Sequence, residues 1–418
     1  MTPNPFSGLH ACVHCGFCLQ SCPTFLVTGD ESDSPRGRIV LLGALERGEL
    51  QETDPDLILH LDRCLGCRAC EPVCPSGVSY APALEESRRR FATVRPIPWP
   101  VRLLLAIVGE PVLRIPFFTV ARWIRPLASL VRGSSAPAMM FGMLAATRAK
   151  GVGNGRRWRS RRGPAGEARA QRPSMVALFR GCVMDGLFGH VHRATRRTLE
   201  VNGYRVVEVS GQDCCGALHA HAGLHDEAVR LARANVSAFA KHSGLWLAVN
   251  SAGCGAQIRE YDRLLADDPL EETARRLAAR TCDVTELLAV AGPVQGARME
   301  LKVAYDPPCH LLHAQRVSEA PLKVLQAIPG LEIVPHQEAA LCCGSAGSYS
   351  LSQRELSLAI LERKVEALAK SGAQVVATGN PGCIMQIGAG LRARGLDLPV
   401  VHPVELLDRS YALAGYYS

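Results

Sequence analysis

Residues 12–23 read Cys12-Val-His-Cys15-Gly-Phe-Cys18-Leu-Gln-Ser-Cys22-Pro23, and residues 64–75 read Cys64-Leu-Gly-Cys67-Arg-Ala-Cys70-Glu-Pro-Val-Cys74-Pro75. Both follow C-x2-C-x2-C-x3-C-P, the ligand run of a two-cluster iron–sulfur unit. Three closely spaced thiolates wrap one cubane cluster, and the fourth, led away by proline, serves the other. The pattern assigns Cys12, Cys15, Cys18 and Cys74 to one 4Fe–4S cluster, and Cys64, Cys67, Cys70 and Cys22 to its neighbour. Crossing the fourth ligands ties the blocks together. Paired C-x2-C units also build structural zinc sites, but those take two pairs per ion, whereas each block here offers a triplet plus a distant Cys-Pro.

Between the blocks, Asp30 to Leu50 reads as a capped helix. Ser34 fits the N-cap, Pro35 the first helical position, and Ile39, Leu41, Leu42 and Leu45 supply an apolar face. A helical insert of this kind points to an α-helical two-cluster ferredoxin domain over residues 1–95. Arg36 and Arg38 either offset the negative charge of a thiolate-bound cluster or form a solvated face; both readings stay open.

The chain has 418 residues and 17 cysteines. Its start shows no basic stretch followed by an apolar run, so the cysteines are expected to stay reduced, in the cytoplasm. No apolar run approaches the ~20 residues of a spanning helix, which limits any membrane contact to the periphery of the inner face. The net charge of +8 is unevenly spread: residues 88–172 hold 18 Arg or Lys against only Glu110 and Glu167. The remainder of the chain is acidic. Residues 96–172 thus form a basic Pro/Arg-rich connector. Its segments Trp99 to Val108 and Ile115 to Ile124 set aromatic groups beside arginines and are interrupted by Pro98, Pro100, Pro111, Pro116 and Pro126. Short broken helices of this composition pack on a partner or on the same chain, lie on an anionic membrane, or simply link domains. The tail, Gly151 to Arg172, reads as a mobile loop. Its Gly151-x-Gly153-x-Gly155 follows no strand and fails as a nucleotide fingerprint. No recognition helix, RNA-binding motif or zinc finger accompanies the arginines, so nucleic acid is not an expected partner.

From Met175 the chain repeats. Cys182, Cys214-Cys215-Gly216 and Cys254 recur as Cys309, Cys342-Cys343-Gly344 and Cys383, displaced by 127, 128 and 129 residues. Two modules follow, 173–296 and 297–418. Each has a strand ending near its first cysteine (Val176–Phe179; Leu301–Tyr305), a helix, a second strand (Tyr204–Val209; Leu331–Val334) and the twin cysteines. A further helix and a third strand (Leu245–Val249; Gln374–Thr378) come next, with the last cysteine in a Gly-rich turn. Strands alternating with helices imply parallel α/β sheets, with the cysteines gathered beyond the strands' carboxyl ends. Adjacent cysteines suit a multi-iron cluster, to which each gives one thiolate; Gly216 and Gly344 would let the backbone approach it. A redox dithiol, a vicinal disulfide and an inert buried pair remain as alternatives. Cys282 has no counterpart and reads as a buried thiol. His219, His221, His225 and His310 lie near these cysteines, but their spacing offers no metal-binding pair.

In this order of parts, and in the strings CVHCGFC, SPRGRI, LDRCLGCRACEPVCPSGV and LCCGSAG, the chain resembles the iron–sulfur subunits of glycolate oxidase along essentially its whole length. The wider family takes in iron–sulfur proteins of lactate utilisation, of anaerobic glycerol-3-phosphate dehydrogenase and of heterodisulfide reductase. The resemblance implies that partner FAD-containing dehydrogenase subunits oxidise a 2-hydroxy acid and that electrons leave through this chain to a quinone or other membrane acceptor. No catalytic residue and no flavin site is expected on the chain itself. It also implies one or two further clusters, on Cys182, Cys214, Cys215 and Cys254, and on Cys309, Cys342, Cys343 and Cys383. The reductases end each module in C-x2-C and bind a non-cubane cluster. Here Ser251 and Asn380 stand where another cysteine is expected, so five ligands become four. An ordinary 4Fe–4S cluster or an empty site are then the alternatives, and a rival activity, disulfide reduction at such a cluster, loses a ligand it needs. A third reading, a redox-sensing or structural protein, stays open.

Overall fold

The computed structural model describes residues 4–128, 130–131, 133–149 and 174–417; the stretch read above as a mobile loop, with its Gly151-x-Gly153-x-Gly155 string, lies outside them. The C-terminal half holds two four-stranded parallel sheets. The first comprises β1 (Ser174–Leu178), β2 (Tyr204–Val207), β3 (Trp246–Val249) and β4 (Thr281–Asp283), in the order β2-β1-β3-β4. The second repeats this with β5 (Leu301–Tyr305), β6 (Leu331–Val334), β7 (Val375–Ala377) and β8 (Val400–Val401), ordered β6-β5-β7-β8. In each sheet the strand preceding the first cysteine is central, and its apolar run is covered by helices on both faces: Val176 and Val303 are fully buried.

β4 and β8 were not apparent in the sequence, being only three and two residues long. Cys282 lies in β4, paired in register with Ala248, which explains why it stands outside the repeat. Burial pushes its pKa up to about 12. Cys254 and Cys383 sit in the first turns of helices, Ala252–Ile258 and Pro381–Ala393, rather than in Gly-rich turns. The CCG glycines also pack closely on helices. Gly216 and Gly344 both adopt φ near +82°, and an added Cβ would meet Ala228 O at 3.3 Å and Ser357 O at 2.6 Å. They admit the helix that follows.

The modules share one core, in which Leu287 and Leu288 of the first join Val404, Leu407 and Tyr411 of the second. Helices Gly189–Val201 and Pro403–Ala414 pack together, clasped by Asn202 Nδ2 to Tyr411 Oη (3.0 Å) and Arg197 Nε to Asp408 Oδ1 (2.8 Å).

The N-terminal part is helical, with Pro35–Glu46, Pro55–Asp62 and Ala81–Val94 enclosing Leu42, Leu57, Leu61, Leu84 and Phe91. Ser34 Oγ accepts from Gly37 N at 2.9 Å, as an N-cap should. The connector forms three helices, Trp99–Gly109, Pro111–Ala128 and Ala136–Ala146. Pro116 and Pro126 lie inside the second without ending it; its inner face is held by burial of Phe118 and Ala121, which outweighs the lost backbone bonds. Phe118 packs on Gly186, and Gly142 packs on Ala389, so the connector is strapped across both modules. Among the described residues no single helix is long and apolar enough to cross a membrane.

Candidate metal centres

The two ferredoxin-type blocks face each other across the N-terminal domain. Cys12, Cys15, Cys18 and Cys74 line one cavity, and Cys22, Cys64 and Cys67 line a second, with Cys70 at the edge of both. The structure therefore brings together the crossed sets that the spacing suggested. None of these cysteines is in a disulfide. His14 and Arg68, each one residue before the middle or after the second cysteine of its block, have φ of 55° and 61°. This left-handed backbone coils each run around a centre.

The second cavity is built from the SPRGR string. Gly37 passes so close to Glu31 that a Cβ would fall 2.0 Å from its carbonyl oxygen, and this tight entry turns Arg38 inward. Arg38 is 1% exposed; its Nε donates to His60 O at 2.7 Å, and Nη1 donates to Thr24 Oγ1 at 3.1 Å and lies 3.8 Å from Cys22 Sγ. Burial opposes its charge, but Cys64, Tyr80, Cys22 and Asp33 hold it protonated. Of the two readings of Arg38, the solvated face is thus excluded. Arg36 instead donates to Glu31 at 2.7 Å and to His14 O at 3.1 Å, near the first cavity. Arg38 Nη2 has only an ion pair with Asp33 Oδ1 at 3.5 Å and no hydrogen bond, and Tyr80 Oη is buried without a hydrogen-bond partner. Both groups line the second cavity, beside Cys64 or Cys22. Orphaned donors around four thiols fit a polynuclear anion whose sulfurs accept hydrogen bonds.

In each α/β module the four cysteines also meet. Cys182 Sγ is 3.4 Å from Cys214 Sγ, and Cys254 lies near enough to Cys215 to raise its pKa. In the second copy Cys309 Sγ is 3.9 Å from Cys342 Sγ, and Cys383 lies near enough to Cys343 to lower its pKa. Hydrogen bonding to neighbouring thiols and burial push the pKa values of Cys182, Cys215, Cys342 and Cys383 upward. The same hydrogen bonds push Cys214, Cys309 and Cys343 downward, so each set pairs ready thiolates with reluctant thiols, and shared iron would take them up together.

The copies differ in what supports them. In the first, Asn235 Nδ2 donates to Cys214 O (2.8 Å) and Tyr261 Oη to Cys215 O (2.9 Å). In the second, the matching helix carries Lys364, 1% exposed, whose Nζ donates to Asp306 Oδ1 at 2.7 Å and to Glu338 O at 2.6 Å. Lys364 stays charged against its burial because of Asp306, and it faces Cys343 and Cys342. Nothing in the sequence marked this pair except a lysine on the apolar stripe of a helix. Asn380, at one of the two missing-cysteine positions, donates Nδ2 to Cys383 Sγ at 3.5 Å, and its Oδ1 accepts from Gly253 N at 3.2 Å.

The N-terminal domain is seated on the second module. Leu65, Cys67, Cys309, Cys342 and Tyr349 pack in one buried cluster, and Tyr349 Oη donates to Arg63 O at 2.8 Å. Ion pairs Arg68–Glu260 and Arg263–Glu85 pin it to the first module as well. His221 and His310 close the floor of the second cavity, their rings 5.4 Å apart. His310 Nδ1 lies 3.5 Å from Cys309 Sγ, whose charge holds the imidazole pKa up against burial, while burial drives His221 down to about 3. His219 is buried at 3.1 Å from Leu105 O, and His225 begins the helix His225–Ala240.

A dicluster domain with crossed cysteine sets, joined to two sheet modules that each gather four cysteines, defines a multi-centre iron–sulfur protein. Comparison with known proteins agrees: residues 8–78 match the 4Fe-4S dicluster domain, and residues 176–259 and 303–388 match the cysteine-rich domain, CCG. The chain is 34% identical to the probable glycolate oxidase iron-sulfur subunit of Bacillus subtilis, over 97% of this chain and 94% of that one. It is 32% identical to the glycolate oxidase iron-sulfur subunit of Escherichia coli, over 96% and 94%. Lactate utilization protein A of Exiguobacterium matches at 31% identity over 56% of this chain and 96% of its own. The chain belongs to the family of glycolate oxidase iron–sulfur subunits.

Proposed function

We propose that the chain is the electron-carrying subunit of a glycolate dehydrogenase complex, in which partner FAD subunits oxidise glycolate to glyoxylate and a quinone or other membrane acceptor is reduced. The ligands we assign are Cys12, Cys15, Cys18 and Cys74 for one 4Fe–4S cluster, Cys22, Cys64, Cys67 and Cys70 for the second, and the two CCG sets for one further cluster each. When bound, such clusters supply one-electron carriers that split the electron pair of a flavin.

The observation that carries this reading is that half-buried Cys67 and Cys309 pack against one cluster with buried Leu65, Cys342 and Tyr349, which seats the ferredoxin-type domain on the second CCG site. Arg38 Nη1 places a buried cation 3.8 Å from Cys22 Sγ, and Lys364, paired with Asp306, adds a second within the electrostatic reach of Cys343 and Cys342. Tyr349, Arg68 and Arg263 fix the docking of the domains. His221 and His310 line the floor of the cavity between the sites. The open end of the series is the first ferredoxin-type loop, where Val13 and Phe17 are about two-thirds exposed (68% and 69%), a fitting port for a flavoprotein.

The test is anaerobic reduction of the complex with its flavoprotein subunits by glycolate, with lactate and glycerol 3-phosphate as competing donors. Glycolate should bleach the iron–sulfur absorbance within turnover time. Bleaching by lactate or glycerol 3-phosphate alone would reassign the donor. Turnover of a disulfide by this chain alone, with a viologen donor, would make it a reductase instead.

A further inference from the structure

The helix Pro111–Ala128 is amphipathic with its apolar side outward. Leu113, Phe117, Val120, Trp123, Ile124 and Leu127 follow i, i+3, i+4 spacing and are all solvent-exposed, Trp123 at 81%. The opposite side, with Phe118 and Ala121, is buried on the first module. An 18-residue helix is ~27 Å long, so this stripe is far larger than an isolated surface leucine. Trp99, 76% exposed, and Leu103 on the preceding helix add to the apolar surface of the connector.

The charge around the stripe is of one sign. Among the described residues of the connector, Arg102, Arg122 and Arg148 are exposed. The one acidic residue between 96 and 149, Glu110, is paired with Arg230 at 2.8 Å. An apolar stripe with tryptophan, flanked by arginines and free of carboxylates, complements an anionic bilayer surface, into whose interface such helices sink by roughly 5–10 Å. A protein partner would need acidic groups placed opposite these arginines; a lipid headgroup layer supplies them at any position.

We propose that the helix Pro111–Ala128 lies flat on an anionic lipid surface and thereby makes the first cysteine-rich site the membrane-proximal one. The inner face of the same helix is bolted to that site. Arg114 Nη1 donates to Val108 O at 3.0 Å and to Asp213 Oδ1 at 2.5 Å, and the same carboxylate oxygen accepts from Cys214 N at 2.7 Å. Phe118 packs on Gly186, in the turn that follows Cys182. The second site faces the ferredoxin-type domain instead, through Cys309 and Cys67. The lipid contact stands without the electron-transfer reading; only the naming of the lipid-side site as a redox centre rests on it.

The experiment is sedimentation of the purified full chain with vesicles of phosphatidylglycerol and phosphatidylcholine, and with phosphatidylcholine alone. The chain should bind the anionic vesicles and shift its tryptophan emission to the blue, a shift reduced in Trp123→Phe. The double variant Val120→Glu/Ile124→Glu should lower the bound fraction about tenfold or more. Val290→Glu, at an equally exposed site elsewhere, should change nothing, and all variants should keep wild-type iron content. The proposal is overturned by absence of binding to anionic vesicles or by undiminished binding of the double variant. It is equally overturned if the double variant loses its flavoprotein subunits while no form binds vesicles, because the stripe then belongs to a protein partner.

Discussion

Asn380 Nδ2 lies 3.5 Å from Cys383 Sγ at a position where a fifth cysteine would complete the CCG pattern of the reductases. The amide thus donates to the thiolate set in place of adding to it, and its oxygen ties that set to Gly253, beside Cys254 of the other module. Hydrogen bonds to ligand sulfurs raise cluster potentials. Asn380→Ala should therefore lower the potential of the second CCG centre in an EPR-monitored redox titration, leaving the ferredoxin-type centres unmoved. An unchanged potential would show that Asn380 serves only to join the modules.

The crossed ligand sets make a selective prediction. Cys22 lies in the cavity with Cys64, Cys67 and Cys70, away from its own triplet. Cys22→Ser should abolish or alter the EPR signal of that cluster and spare the one on Cys12, Cys15, Cys18 and Cys74. Selective loss of the latter would mean that each block keeps its own fourth cysteine.

Arg38 is the buried cation of the N-terminal domain, and Asp33, fully buried, sits 3.5 Å from its Nη2 while accepting from Arg63 at 2.9 Å. Arg38→Met should destabilise the domain by about 3 kcal/mol, since it leaves His60 O and Thr24 Oγ1 without their buried donor and Asp33 with only Arg63 and His60. Chemical denaturation followed by the N-terminal cluster absorbance reads this directly. A loss below ~1 kcal/mol would place the charge balance of the site elsewhere.

These residues show what the sequence could and could not reveal. Ligand runs such as Cys64 to Cys74 are local patterns, and the recurrence of Cys182, Cys214 and Cys254 at near-constant offset exposes the duplication. Both are legible because spacing alone encodes them. Arg38 and Lys364 are not, because an arginine or lysine on an amphipathic helix reads as solvated until the packing of the neighbouring element is known. β4 and β8 were missed because two or three residues carry no periodicity. The turns expected around Cys254 and Cys383 are helices because their glycines fall in first turns, where the close packing of Gly255 on Gln315 and of Gly382 on Ser345 is what they permit. In the connector, proline count argued for breaks, yet the helix Pro111–Ala128 is continuous because the first module supports it.

His402 supplies a pH prediction. It is 1% exposed, caps the helix Pro403–Ala414 by accepting from Val404 N at 3.2 Å, and burial lowers its pKa to about 3. The unfolded chain, with a histidine pKa of ~6.5, then binds more protons in the interval between these values, so stability falls as pH falls through it. Between pH 7 and pH 5 this one group should cost about 2 kcal/mol. His402→Asn keeps a side-chain cap acceptor and removes the titration. The difference in unfolding free energy between the two pH values should shrink by that amount; equal pH dependence of wild type and variant would mean that His402 is charged in the fold.

The central claim is that four thiolate sites, two in the N-terminal domain and one in each CCG module, hold iron in a single series. Iron and acid-labile sulfide per chain, measured on anaerobically purified full-length protein and on Cys215→Ser, Cys343→Ser and Cys282→Ser, test it most directly. Each of the first two variants should lose the iron of one whole cluster, and Cys282→Ser should lose none. Iron contents of Cys215→Ser and Cys343→Ser equal to wild type would contradict the account, leaving the CCG modules without iron and the electron path ending at Cys67.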